Sequence, residues 1–243
     1  MALKPCKIKV SWYKFLYRVR KVMNNIAPID QWQLDRLNVL ADMIEGVLNA
    51  YKEIVPLAAK ADYAKLGTQL KEFRVFYAEP QCRIDEGTDS IVTWMGRLED
   101  METDLIRSMF ADIGNEAVEI LHQACHSEGQ KWGRKACKIK GDISHDARKA
   151  LLVLNDYLID GMPAENNIEI RSSEAGQITY VNNHCNFRKR FGDAQNLAWG
   201  LCSSRQAWMD GFFGALGGVA HQNISGKCLG DDVCMNIITL AEK

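Results

Sequence analysis

The sequence lacks the motifs that mark the familiar enzyme classes. Its 243 residues contain no glycine-rich phosphate loop, no Gly-x-Ser-x-Gly elbow and no His-Glu-x-x-His pair. Nothing therefore points to phosphate-loop nucleotide chemistry, to an α/β-hydrolase or to a zincin-type metal site. The chain also has no internal repeat and no low-complexity tract. Its chemistry must be sought in scattered residues.

The net charge is close to zero, and the hydropathy profile has no long apolar run. The formal net charge is -1, which argues against a nucleic-acid partner. No apolar run approaches the roughly 20 residues that span a bilayer, and residues 1–7 lack the apolar segment of a signal peptide. Without an export signal, the eight cysteines are expected to be reduced thiols. We expect a cytoplasmic protein without a membrane span, whose partner is a small molecule; the composition is also compatible with a homodimer.

One segment departs from this charge balance. Seven lysines and arginines precede the first acidic residue, with aromatic residues between them. A basic amphipathic segment of this kind can lie on a membrane surface. The alternative, which we favour, is a first helix packed on the body of its own chain.

The hydrophobic pattern predicts helices first and a small sheet last. Apolar spacing of three and four residues predicts helices over residues 30–51, 97–129, 145–159 and 187–214. Alternation predicts paired strands at residues 167–171 and 177–182, and again at 219–224 and 233–240, with a short strand over 90–94. The expected fold class is α+β, with a helical region over 1–94 and a helix-flanked antiparallel sheet within 95–243.

The last sixty residues are rich in thiol and imidazole groups, holding four of the eight cysteines and two of the five histidines. These residues are His184, Cys185, Cys202, His221, Cys228 and Cys234. Such groups bind transition metals, and a thiolate beside a base is a nucleophile.

Each of these residues has a candidate role. Cys202 and Cys185, expected to lie near one another, are candidate catalytic thiols, with His184 or His221 carrying protons. Cys228 and Cys234 flank a Gly-Asp-Asp turn and are candidate metal ligands. Alternatively, the cysteines are small buried hydrophobes.

A second candidate site lies on a predicted helix. Glu119, His122 and His126 stand at i, i+3 and i+7, on one helical face. Glu-x-x-His is half of a carboxylate-bridged di-iron site, which needs a second copy. Because no clear second copy is present, we favour a solvated helix face, on which His122→Ala changes little. The cofactor is left open, as one zinc or iron ion at either place or none.

Three stretches of the tail carry a family resemblance. They are Ile178–Cys185, Leu197–Cys202 and Gly226–Cys234. Together they resemble the L-2-amino-thiazoline-4-carboxylic acid hydrolase-like family and, more distantly, the 4-vinyl reductase type of ligand-binding domain. The resemblance covers about residues 95–243. It implies a cysteine at the end of a strand, a second in the following helix and, in the more distant relatives, zinc at the final hairpin.

The resemblance also implies a reaction. We expect an enzyme that hydrolyses a cyclic C–N or C=N bond of a small, amino-acid-derived substrate with a Cys/His site. Two alternatives stay open. One is a sensor domain that binds a small molecule or metal without turnover, and the other is a helical iron-dependent oxidative enzyme that uses Glu119, His122 and His126.

Overall fold

The computed structural model describes the larger part of the chain. The described residues are 27–54, 60–78, 89–141, 146–158, 168–174, 176–183, 185–192, 194–226, 230–231 and 233–240. The basic amino-terminal segment, His184 and Cys228 lie outside these ranges, so the hypotheses that concern them stay predictions.

The first half of the described chain is helical. Its helices are α1 Ala27–Ile54, α2 Lys60–Ala78, α3 Asp89–Ile113, α4 Ala117–Lys140 and α5 Ala147–Asn155. The strand predicted over residues 90–94 is wrong, because α3 begins at Asp89. Trp94, Leu98, Met101 and Leu105 continue α3 as buried residues, and this helical spacing outweighs the short β-like run at its start.

A glycine breaks the long helix predicted over residues 97–129. Gly114 has φ 59°, a conformation that glycine adopts at little cost and other residues avoid. A three-residue 3₁₀ turn, Gly114–Glu116, therefore separates α3 from α4. Further on, α5 begins after Asp146, whose side chain accepts a hydrogen bond from the backbone nitrogen of Arg148 and so caps the helix.

The second half confirms the predicted α+β class. Strands β1 Ile168–Ser173 and β2 Gln177–Asn182 precede helices α6 Asn186–Phe191 and α7 Gln195–Leu216, which are followed by β3 Val219–Ser225 and β4 Cys234–Leu240. The strands form one antiparallel sheet in the order β1-β2-β4-β3. Both predicted strand pairs are present, while Gly192, with φ 55°, divides the predicted helix 187–214 into α6 and α7.

One face of the sheet is buried and partly polar. Ile178 pairs with Ile238 and Tyr180 with Asn236 in the register of β2 and β4, and all four are buried. His221 and Asn223 of β3 pair with Ile238 and Asn236, so they lie on that same inner face. α7 packs against this face, since the ring of Phe213 stacks on His221.

Helices α4 and α7 approach each other closely along a seam of three glycines. A Cβ atom at Gly129 would overlap the carbonyl oxygen of Trp208, one at Gly133 that of Phe212, and one at Gly211 that of His126. From His122–Ser203 through Gly129–Trp208 to Gly133–Phe212, residue numbers rise together along both helices, so the two helices run parallel. Only glycine permits this backbone-to-backbone approach, which fixes the position of α4 relative to α7.

Polar contacts attach α1 and α2 to this pair. Trp132 of α4 donates its indole hydrogen to Asp42 of α1 at 3.0 Å, and Arg74 of α2 bonds the same carboxylate. The buried hydrophobic cluster includes side chains from α1 to β4. The division at residue 94 is not tested by these contacts and stays a prediction.

Candidate functional site

A cleft of about 190 Å³ opens between α4, α7 and the end of β3. One face of α7 forms most of its wall, with side chains at the i, i+3, i+4 and i+7 positions that share a helical face. The lining residues are His122, Trp199, Cys202, Ser203, Gln206, Ala207, Asp210, Asn223 and Gly226. The cleft thus unites His122 of the helical candidate site with Cys202 of the tail.

A histidine and a serine meet in this cleft. His122 Nε2 is in hydrogen-bond contact with the Ser203 hydroxyl oxygen, across the interface of α4 and α7. His122 is half-buried, whereas Glu119 and His126 of the same predicted helix face are exposed. The contact pairs a hydroxyl with a base, which is the arrangement that activates a nucleophilic serine.

The two cysteines near this pair lie in different environments. Cys202 lines the cleft and is half-buried, whereas Cys125 is buried one turn after His122 on α4. Burial, reinforced by the negative charges of Glu102 and Glu128, raises the pKa of the Cys125 thiol well above its usual range. Cys125 therefore remains a neutral thiol, as a structural cysteine does.

We expect this difference to appear in thiol labelling. Brief treatment of the folded protein with iodoacetamide at pH 8 should modify Cys202 and leave Cys125 intact, because alkylation needs an accessible thiolate. Mass spectrometry of the two tryptic peptides measures the extent of modification. Treatment in denaturant is the control and should modify both. Labelling of Cys125 at the rate of Cys202 in the folded state would contradict the assigned environments.

A polar network supports the far wall of the cleft. The ring of His221 has only 1% of its side chain exposed and lies 3.0 Å from Asp210 Oδ1 and 3.1 Å from Asn236 Oδ1. Asn223 donates from Nδ2 to Asn236 Oδ1 at 3.1 Å and to the Met235 carbonyl oxygen at 3.3 Å. The network holds Asp210 and Asn223 in place where they line the cleft.

The hydrogen bonds of Asn223 fix the roles in this network. Because its Nδ2 donates to both acceptors, the atom of Asn236 that faces His221 is an oxygen. Asp210 presents a carboxylate oxygen to the other ring nitrogen, so each ring nitrogen of His221 faces an oxygen. His221, a predicted proton carrier, thus contacts a cleft residue but does not line the cleft itself.

The remaining predicted residues occupy separate places. Cys185 caps α6 by accepting a hydrogen bond from Arg188 N at 3.3 Å, and Cys234 is buried at the start of β4. Glu119 accepts from Gln123 at 2.6 Å, and His126 is exposed. The predicted proximity of Cys185 and Cys202 stays a prediction.

The described residues include Glu119, His122, His126 and Cys234 of the two predicted metal sites, but not Cys228. Within the described ranges, no three His, Cys, Asp or Glu side chains are grouped so that they could hold a metal ion. Glu119 accepts a hydrogen bond from Gln123, and the predicted partner of Cys234 lies outside the described residues. The zinc or iron ion stays a prediction.

A second, smaller cavity of about 40 Å³ lies among α1, α3, α6 and α7. Its charged groups have partners within the protein: Arg36 donates to the Leu158 carbonyl oxygen at 2.7 Å, and Arg190 bonds Glu102 at 2.8 Å and Glu99 at 2.5 Å. Burial raises the pKa of Glu102, although Arg190 opposes the shift. These contacts give this cavity a structural role between helices.

Several cleft residues were missed from the sequence. Ser203, Gln206, Asp210 and Asn223 belong to no motif, and Ser203 is marked only by its position next to Cys202. Gln206 Oε1 is buried and has no hydrogen-bond donor among the described residues, an unsatisfied group of the kind that calls for an explanation at a site. The signal that could have found Ser203 is its helical spacing of four residues from Trp199.

Comparison of the chain with protein-family models, with curated proteins and with solved structures found no match. None of the helices in the described residues combines the length and hydrophobicity needed to cross a membrane.

Proposed function

We propose that the chain is a hydrolase that opens a cyclic C–N or C=N bond in a small, amino-acid-derived substrate. The observation that carries the proposal is the contact between His122 Nε2 and the Ser203 hydroxyl inside the cleft. A serine hydroxyl is a weak nucleophile until a base within hydrogen-bond reach takes its proton. In this proposal Ser203 is the nucleophile and His122 the base.

The proposed reaction uses His122 twice. His122 accepts the hydroxyl proton as Ser203 Oγ bonds to the unsaturated ring carbon, and the ring C–N bond then breaks with its electron pair moving to nitrogen. The departing nitrogen takes the proton from His122. Water, deprotonated by His122, attacks the substrate carbon bound to Ser203 and releases it, with the proton returning to the serine oxygen. The sum is one C–N bond broken and one water added.

The size of the cleft supports a small substrate. Pockets for drug-sized molecules usually measure about 300–1,000 Å³, and this cleft has about 190 Å³. A single five- or six-membered ring with a few substituents is in keeping with that volume. Gln206, Asp210 and Asn223 provide polar groups along the wall, which suits a polar ring, and the resemblance of the tail to the thiazoline carboxylate hydrolases favours the same class.

A direct activity assay tests the proposal. The purified full chain is incubated with a panel of small cyclic amidines and cyclic ureas that includes L-2-amino-thiazoline-4-carboxylate. Mass spectrometry follows the gain of one water molecule. Turnover of a panel member that is lost in Ser203→Ala would support the proposal. Binding of panel members without conversion would replace it by the sensor alternative.

The same assay can test whether the neighbouring thiol of Cys202 is the nucleophile instead of Ser203. Because Ser203 contacts His122, Cys202→Ala is expected to keep the turnover number within about tenfold of the original, as for a residue that shapes the pocket only. Ser127→Ala, an exposed serine of α4, is the matched control for Ser203→Ala. Loss of activity in Cys202→Ala with activity retained in Ser203→Ala would assign the nucleophile to the thiol.

A further inference from the structure

The outer face of α4 is strongly basic. Lys131, Lys135 and Ile139 follow one another at intervals of four residues, and Arg134 and Lys138 form the adjacent row. All five side chains are exposed, and 61% of the apolar Ile139 side chain faces solvent. Residues at such spacings share a helical face, so four cations lie on the same side of α4 as an exposed aliphatic residue.

The outer face of α5 continues this surface. Arg148, Lys149 and Leu152 are exposed, Leu152 by 65%. Asp156 follows Leu152 by four residues, so it extends the same side of the chain just beyond α5, and it forms an ion pair with Lys140 of α4 at 2.8 Å. This bond joins the carboxyl-terminal end of α4 to the end of α5. We call the combined exposed surface of the two helices the basic face; its members are Lys131, Arg134, Lys135, Lys138, Ile139, Arg148, Lys149 and Leu152.

Much of the positive charge on the basic face is not neutralised by the protein. Lys131 pairs with Glu128 and Arg148 with Asp146. Arg134, Lys138 and Lys149 have no ion pair with any residue in the described ranges. The whole chain carries a net charge of -1, so this concentration of cations is a local asymmetry that would attract an anionic surface.

We propose that the basic face docks on the surface of an anionic lipid bilayer. Basic side chains near such a surface are each attracted to it, and exposed aliphatic side chains among them can enter the boundary between headgroups and acyl chains. The cations and the exposed aliphatic side chains together favour a lipid bilayer as the occupant. Positive charge alone would suit a nucleic acid, but Ile139 and Leu152 would find no apolar surface on a phosphate backbone.

The sequence supplies a second reason to choose a bilayer. The first twenty-one residues, outside the described ranges, contain seven lysines and arginines interleaved with aromatic residues. The bilayer proposal takes up the membrane-surface interpretation of this segment in place of a first helix packed on its own chain. Stable attachment of a peripheral protein generally needs two weak signals, and the basic face would be one of them.

Vesicle co-sedimentation tests the proposal with the full chain. Vesicles of phosphatidylcholine with 30 mol% phosphatidylglycerol, a composition on the order used for anionic membranes, are compared with phosphatidylcholine alone. Binding is expected only to the anionic vesicles. The triple variant Arg134→Gln/Lys138→Gln/Lys149→Gln should bind about 10²-fold more weakly, since each neutralised cation weakens binding about fivefold.

A matched variant controls for net charge. Lys52→Gln/Lys65→Gln/Lys71→Gln removes the same charge from exposed positions of α1 and α2, and it should bind like the original chain. Ile139→Ser/Leu152→Ser should weaken binding about tenfold or more, whereas Ile54→Ser/Val75→Ser, equally exposed, should not.

Three outcomes would overturn the proposal. The first is no binding to anionic vesicles by the original chain. The second is equal loss of binding in the two triple variants, which would show an effect of net charge alone. The third is retention on heparin, lost in the Arg134, Lys138 and Lys149 variant, without binding to vesicles; this would assign the face to a polyanion instead.

Discussion

Replacement of His122 by glutamine is expected to lower the turnover number for ring opening by about 10²–10⁴-fold, the usual contribution of a positioned general base. Glutamine keeps a polar side chain of similar reach, but it cannot accept a proton from Ser203 near neutral pH. The measurement is the turnover number at saturating substrate, together with KM. We expect the loss mainly in the turnover number, because the proton moves in the transition state.

His126→Gln is the matched control for this prediction. His126 lies four residues further along the same helix but is exposed, so its replacement should leave turnover within about twofold, a change below what a positioned base contributes. Glu119→Gln should behave similarly, because Glu119 contacts Gln123 and not His122 in the structure. If His122→Gln were silent, or if all three variants lost activity together with a bound metal, the Ser203–His122 assignment would be wrong.

Substitution of Gly211 by alanine should reduce the free energy of unfolding by about 3 kcal/mol or more, at the upper end of overpacking effects. The added methyl group would overlap the backbone carbonyl of His126, which cannot rotate away as a flexible side chain can. The two helices must therefore move apart. Urea denaturation followed by circular dichroism measures the loss, and activity should fall as well, since the same seam holds His122 against Ser203.

Gly214→Ala offers a control in the same helix. A Cβ atom at Gly214 has nothing within 4 Å, so alanine should be tolerated there and can add up to about 1 kcal/mol through its better helix propensity. Equal destabilisation by both substitutions would mean that the effect belongs to helix α7 in general. A neutral Gly211→Ala would contradict the close approach of α4 and α7.

The sheet was easier to predict from the sequence than the helix boundaries. Alternation of apolar and polar residues is a local signal, and both strand pairs lie within a residue or two of the predicted ranges. The breaks at Gly114 and Gly192 were missed because a glycine within an apolar helical pattern can equally well be tolerated inside a helix. Gly129, in contrast, does not break its helix. It lies inside α4, where the absence of a side chain lets the backbone of α7 approach closely.

The site could be predicted only in its parts. Cys202 and His122 were both identified as candidates, but as members of rival sites, because sequence spacing reveals neighbours on one helix and not contacts between helices. His122 and Ser203 are separated by 81 positions, and no local pattern joins them. Asp210 is held at the cleft by its contact with His221, and Asn223 by the pairing of β3 with β4. Both are tertiary contacts that sequence spacing does not reveal.

The parallel course of α4 and α7 has a consequence for the topology of the whole chain. Two parallel helices cannot be joined by a tight loop, because the chain must first travel back along the length of the first helix. Here the return path runs through α5, β1, β2 and α6, and β2 then pairs with β4 from beyond α7. The connection that lets α4 and α7 run parallel therefore also contributes β1 and β2, two of the four strands of the sheet. Since the entropy of closing a loop grows only with the logarithm of its length, this long connection costs little more than a short one.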